Sequence, residues 1–312
     1  MNIIKNLENL KSPFKNSVIT IGNFDGVHIG HKSLFDAVIS KANSINGTSV
    51  AVTFEPHPLR VLNQKSQLPL ITLYEQKIEL IESSGIDVLI CIPFTKKFAS
   101  IPSRLFVEDL LVKKIGAKVI IVGNDYRFGK NREGNTELLK KIGARLGFEV
   151  IISKWQHVPD SSERVSSTTI RELVVAGEVK KAKKMLGRNY QIRGVVVGGR
   201  NRGGRLLGFP TANINLTDEL CPRAGVYAVT VECLNEIFNG VANIGYSPTF
   251  DDHIFTVEVH MLNFNKTINN QKIRVNFIQR IRDEKKFSDI NALSEQIKKD
   301  IKTAGHILNQ QS

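Results

Sequence analysis

The sequence predicts an α/β plus β architecture: a doubly wound parallel sheet over residues 1–186, then an antiparallel β-barrel with a terminal helix over residues 187–312. Short apolar runs alternate with amphipathic helical segments from Val18 to Ile152, the pattern of successive βα units. Lys180 to Lys184 form a charged helix end that Gly187 stops, and from Tyr190 onwards the apolar period changes from helical to alternating. Strands at short spacing with glycine turns, closed by one long helix, then give a barrel.

Val18 to Ile21 reads as the first buried strand, and Lys32 to Ala42 sets Leu34, Phe35, Val38, Ile39 and Ala42 at helical spacing, a face that covers a sheet. Ser49 to Phe54 is a second strand running into Glu55-Pro56-His57-Pro58, where two prolines force an extended exit. Helices over Tyr74 to Ser84, Ser103 to Ile115 and Thr136 to Leu146 alternate with strands over Asp87 to Ile92, Lys118 to Val122 and Glu149 to Ile152. Ligands are expected at the C-terminal strand ends of such a sheet, where His28, Glu55 and His57 gather. The barrel strands are Gln191 to Val197, Val226 to Leu234, Phe238 to Ile244, Ile254 to Met261 and Lys272 to Arg282. Asp289 to Leu308 is the closing helix, with Leu293, Ile297 and Ile301 on one stripe.

Composition narrows the class. The 312 residues are 41% hydrophobic, enough for packed cores, and the 3 cysteines lie far apart without metal or disulfide spacing. Met1 to Lys15 lacks the apolar centre of a signal peptide, and no run approaches the roughly 18 apolar residues of a membrane span. A soluble cytoplasmic protein is expected. The net charge of +13 favours phosphorylated partners, but the basic residues are spread out and are not interleaved with aromatic residues as on a base-stacking platform. Small-molecule substrates are therefore expected, with no nucleic acid and no membrane; self-association stays open.

The chemistry concentrates in four stretches. Gly22 to His31 joins the first strand to the first helix, and His28, Gly30 and His31 offer a triphosphate site: helix-terminal N–H groups, a glycine that admits phosphate to the backbone, and two imidazoles. A glycine-rich turn with two surface histidines would read the same way. Gly123 to Lys130 resembles a P-loop superficially, but one residue too many separates the glycines and Asn131 replaces the magnesium-binding hydroxyl. Arg164-Val165-Ser166-Ser167-Thr168-Thr169-Ile170-Arg171 combines cations and hydroxyls at a helix start, which suits a departing pyrophosphate. Gly198 to Asn213 holds five glycines and three arginines, among them Gly204, Arg205 and Gly208, whose backbone can wrap phosphates; Thr211 and Asn213 are oxygen ligands that magnesium accepts. Alternation in the fourth barrel strand puts Phe255, Val257, Val259 and Met261 on one face and Thr256, Glu258 and His260 on the other, so Glu258 can meet a bound alcohol as general base. A solvent-facing Glu is the alternative.

Along nearly its whole length the chain resembles the bifunctional riboflavin kinase and FAD synthetase family of prokaryotes. The resemblance rests on Gly22 to His31, Phe54 to Pro58, Asn124 to Gly129 and Arg164 to Arg171 in the first half. In the second it rests on Gly208-Phe209-Pro210-Thr211-Ala212-Asn213, Asn243-Ile244-Gly245, Pro248-Thr249-Phe250, Glu258-Val259-His260 and Arg282 to Phe287. It implies that Gly22, Phe24, His28, Gly30 and His31 surround the ATP phosphates, that Asn124 lies beside the nucleotide, and that Arg164, Ser167, Thr168 and Arg171 contact phosphate. It further implies a kinase site with phosphate at Gly204, Arg205 and Gly208, Mg2+ on Thr211 and Asn213, and Glu258 as base. ATP, riboflavin and FMN are the implied substrates, and FMN and FAD the successive products. Two departures stand out: Arg200 occupies a position where the family usually has glycine, and Asn263 to Gln271 is Asn-rich where relatives are acidic. The competing expectation is a nucleotidyltransferase acting on a different phosphate substrate, with an impaired kinase domain.

Overall fold

A computed structural model describes residues 1–62, 68–159, 161–197, 209–216, 218–246 and 255–310. The chain forms two compact units, Met1–Ser167 and Thr168–Ser312.

The first unit is a six-stranded parallel sheet. Its strands are β1 (Asn2–Ile4), β2 (Ser17–Ile21), β3 (Ser49–Glu55), β4 (Val88–Pro93), β5 (Ala117–Gly123) and β6 (Glu149–Ser153), in the order β1-β4-β3-β2-β5-β6. The strands between are linked by α1 (Ile29–Ser44), α2 (Pro58–Leu62), α3 (Tyr74–Glu82), α4 (Lys96–Ala99), α5 (Ser103–Leu105) and α6 (Thr136–Leu146). Alternate residues of β2 divide between two cores: Ile19 and Ile21 pack with Phe106, Leu111 and Leu139, while Val18 packs with Phe35, Val38 and Ile81. Helices therefore cover both faces, as the near-continuous apolar strands require. From β2 the chain moves outward to β3 and β4, then returns on the other side of β2 to β5 and β6, so the direction reverses between β2 and β5. Such a reversal opens a crevice at the C-terminal strand ends.

Two expectations about this unit are corrected. Asn2–Ile4 adds an edge strand parallel to β4 that the charged N-terminus concealed. Ser103 to Ile115 is α-helical only to Leu105, and Phe106–Ile115 continues as a π-helix, whose wider turn buries Phe106, Val107, Leu111 and Ile115.

The second unit begins within α7 (Ser167–Val175), α8 (Val179–Leu186) follows before the barrel, and α8 ends at Gly187 in the left-handed conformation. The barrel is closed from β7 (Tyr190–Val197), β8 (Ala212–Asn215), β9 (Gly225–Cys233), β10 (Glu236–Tyr246), β11 (Phe255–Met261) and β12 (Lys272–Arg282), in the circular order β10-β11-β8-β7-β12-β9. β8 is a sixth strand in a stretch that sequence patterning marks only as a motif; without it β7 and β11 would present open edges. α9 (Ile290–Asn309) packs on β9, β10 and β12. Its deepest residues are Asp300, Ala304 and Leu308, and the expected stripe of Leu293, Ile297 and Ile301 is half-buried beside them. Asp300 escapes a hydrophobicity pattern because its charge is matched: Arg282 Nε and Nη2 donate to its two oxygens at 3.0 and 2.7 Å.

Candidate functional site

In the first unit the loop between β2 and α1 builds one constellation. His28 is the N-cap of α1, and its Nδ1 accepts the His31 N–H at 3.3 Å, which leaves the hydrogen of the neutral ring on Nε2. The two imidazoles stack with centroids 3.6 Å apart, and the Phe24 ring meets His31 edge-on at 5.3 Å. Gly30 makes room for this pair, since a Cβ there would lie 3.2 Å from the His28 ring. The loop itself is strained: Phe24 and Val27 have φ of 48° and 37°, a region that side chains disfavour. Cross-braces hold it. The buried Asp25 carboxylate accepts the N–H groups of Ile71 and Thr72 at 3.0 and 3.3 Å, Gly26 N–H donates to Thr72 Oγ1 at 3.1 Å, and Ser167 Oγ donates to the Asp25 carbonyl at 2.8 Å.

The loop after β5 lies on the other side of the β2/β5 reversal and carries exposed Asn124. A small hairpin closed by a bridge between His157 and Arg164 presents Arg164, whose guanidinium sits 3.0 Å above the Trp155 ring and donates to Asp125 at 2.8 Å. The structure thus gathers Gly22, Phe24, His28, Gly30 and His31 at the junction of β2 and α1, ties Ser167 to it through the Asp25 carbonyl, and fixes Arg164 beside the residue that follows Asn124. Thr168 and Arg171 continue along α7 in the second unit. What helix start and dipole offer here is a bed of N–H donors for anionic oxygen.

In the second unit the site is a row across the barrel. Asn213 on β8 faces Glu258 on β11, and Glu258 faces Asn243 on β10. Their neighbours Ala212, Ile214, Val257, Val259, Ala242 and Ile244 are buried, so the polar row lies on the outer face, as alternation predicts for Thr256, Glu258 and His260. Burial first, and then the nearby Glu284 carboxylate, push Glu258 above the usual carboxylate range. Glu284 is also raised by burial, against the opposing pull of Arg282 and a hydrogen bond from the Asn243 side chain. A Cβ at Gly245 would collide with the Glu284 carboxylate, so glycine is required for this approach. Thr211 borders a cavity of about 290 Å³ walled by Val196, Val197, Met261, Phe264 and Ile268. Gly204, Arg205 and Gly208, with Arg200, lie outside the described residues.

Several contributors escape sequence reasoning. Asp25 looks like an ordinary turn residue, and Glu284 sits in a run of charges; only tertiary contact reveals either. Phe54, Phe94 and Phe98 form a half-buried triangle with centroids 5.6 to 5.8 Å apart at the ends of β3 and β4, and spacing in the chain does not announce it. The Asn-rich segment proves to be part of the cavity wall, through Asn265, Lys266, Thr267 and Asn269.

The profile of the FAD synthetase family matches residues 10–169, and that of riboflavin kinase matches residues 186–308. The bifunctional riboflavin kinase/FMN adenylyltransferase of Buchnera aphidicola subsp. Schizaphis graminum is 40% identical over 99% of both chains. The Escherichia coli K12 protein of the same description is 36% identical over 97% of both. A solved structure described as a macrolide-efflux protein from Streptococcus pneumoniae is 33% identical, covers 97% of each chain and superposes with a TM-score of 0.87. Among the described residues no helix here is long and apolar enough to cross a membrane. With both of its units matched in order and relatives aligned end to end, this chain is an enzyme of the bifunctional riboflavin kinase/FMN adenylyltransferase family.

Proposed function

We propose that residues 187–312 phosphorylate riboflavin to FMN and that residues 1–186 then adenylylate FMN to FAD, with the residue roles that follow. What supports this division is that two polar constellations, His28 with His31 and Glu258 with Asn213, lie in separate units, each matched by a different family profile.

In the kinase, Glu258 takes the proton of the ribityl 5′-hydroxyl as that oxygen attacks the γ-phosphorus of ATP, and ADP leaves. Its raised affinity for protons makes it a stronger base than an exposed Glu. The cavity beside Thr211, walled by apolar side chains on one part and polar ones on the other, suits the adenine of ATP. Thr211 and Asn213 fit magnesium: they are neutral, hard oxygen donors, and among the described residues no cluster of three or more His, Cys, Asp or Glu offers another cage. When bound, the ion neutralises charge on the transferring phosphate oxygens.

In the adenylyltransferase, an FMN phosphate oxygen attacks the α-phosphorus of ATP and pyrophosphate departs. That nucleophile is already anionic, so no protein base is needed. His28, His31 and the first-turn N–H groups of α1 hold the phosphates, Gly22 and Phe24 shape the loop, and Asn124 approaches the nucleotide. Arg164 and Ser167 meet the leaving group; Thr168 and Arg171 keep the phosphate roles that the resemblance alone assigns. The phenyl triangle of Phe54, Phe94 and Phe98 offers faces on which a flat isoalloxazine can stack.

The test is incubation of the chain with riboflavin, ATP and magnesium, followed by chromatography of the flavins. FMN should appear first and FAD should follow. Conversion of FMN but not of riboflavin would remove the kinase half of the proposal, and no flavin product would reject it entirely.

A further inference from the structure

We infer that His260 is a positioning residue of the kinase site, acting through the Pro210 carbonyl to hold the segment that carries Thr211 and Asn213 against the strand that carries Glu258. The inference rests on the magnesium assignment above and adds to it the device that keeps the two halves of the site in register.

The need for such a device follows from the pairing. The β8/β11 ladder joins Ile214 to Val257, Asn213 to Glu258 and Ala212 to Val259, and there it ends. The next residues back along the chain are Thr211 and Pro210, and a prolyl residue has no N–H to continue a ladder. Thr211 therefore projects beyond the last regular rung, at the end of a glycine-rich run. His260 replaces the missing rung with a side chain. It shares the outer face of β11 with Glu258, its Nδ1 lies 2.8 Å from the Pro210 oxygen, and its ring receives the Phe209 ring edge-on at 5.7 Å with an interplanar angle of 89°. A carbonyl only accepts, so Nδ1 carries the hydrogen. One imidazole thus fixes both residues immediately before Thr211.

Asparagine and glutamine distinguish this role from packing, because Asn places its amide nitrogen near the Nδ1 position and Gln places it near Nε2. In the full chain, ADP binding is titrated calorimetrically over a range of magnesium concentrations, with the phase lost in Asn213→Ala taken as the kinase site. His260→Ala should raise the magnesium concentration needed for that phase by roughly five- to tenfold, the loss of one hydrogen bond. His260→Asn should restore most of it and His260→Gln should not. Conversion of FMN to FAD by the same variants should stay unchanged, which reports that the chain has folded. If His260→Ala leaves the magnesium dependence intact, or Gln rescues as well as Asn, the inference is overturned. If Asn213→Ala itself leaves magnesium-dependent binding intact, the metal assignment fails instead.

Discussion

The two proposed phosphate sites of this chain are built in opposite ways. The first is centred on one stretch: the ten residues Gly22 to His31, the β2–α1 loop with the first residues of α1, supply backbone donors, two stacked imidazoles and a helix terminus, and Asp25 braces them against Ile71 and Thr72. The second is assembled across strands, from Asn213, Asn243, Glu258 and Glu284, no two of which are near neighbours in sequence. The chemistry accounts for the contrast. An FMN phosphate arrives already charged and needs only donors around the oxygens that gain charge, which a loop at a helix end provides. A ribityl hydroxyl must lose a proton, and at Glu258 burial and a second carboxylate from another element both raise the affinity for that proton.

Removing one site at a time sharpens this comparison most. His31→Ala should lower FMN adenylylation by roughly 10³-fold, as for loss of a preorganised donor to a phosphoryl oxygen, while riboflavin is still phosphorylated. Glu258→Gln should do the reverse, lowering riboflavin phosphorylation by about 10²- to 10⁴-fold while supplied FMN is still converted. Paired assays with riboflavin or FMN as the starting flavin read both; equal loss of both activities in a folded variant would break the two-site picture. Asp300→Ala leaves the Arg282 guanidinium without its bidentate partner. It should cost about 3 kcal/mol in denaturant unfolding of the barrel, the lower end for a broken buried pair. Because Arg282 anchors the turn that carries Glu284, kinase activity should fall with it.

A smaller effect separates the sites by pH. Glu258 holds its proton to higher pH than an exposed Glu, so kinase activity should decline on acidification at a pH above the ordinary carboxylate range. Removing the neighbouring charge in Glu284→Gln lowers that affinity for protons, and the acid limb of kcat/KM should move to lower pH. The adenylylation profile should not move, since no carboxylate works there as a base. An acid limb unchanged by Glu284→Gln would mean that burial alone sets the basicity of Glu258. Smallest of all, Gly30→Ala pushes a methyl group to 3.2 Å from the His28 ring, and should cost adenylylation several-fold without unfolding the sheet.

This contrast also explains what could be read from the chain. The first candidate site is legible as a contiguous motif because neighbouring residues keep their order in the fold, and α1, β2, β3 and α6 lie close to where periodicity puts them. Glu258 was legible because period-2 alternation survives in β11, where Val257 and Val259 are fully buried. β1 and β8 escape sequence patterning because strands of three and four residues are too short to show a period. Asp25, Glu284 and His260 act through partners far away in sequence, and no local pattern encodes a partner. Asp300 contradicts the rule that buried helix positions are apolar, because its counter-charge lies on another element.

Among the described residues β8 joins β7 and β11 through three residue pairs on each side. A stave with so few rungs is where the ring should open first, and Asn213 belongs to both ladders. Opening would withdraw the proposed metal ligand before the long β9, β10 and β12 ladders are disturbed. Riboflavin turnover is then a gauge of ring closure: as denaturant is added it should fade ahead of the barrel's circular dichroism, while adenylylation of supplied FMN reports only on the other unit.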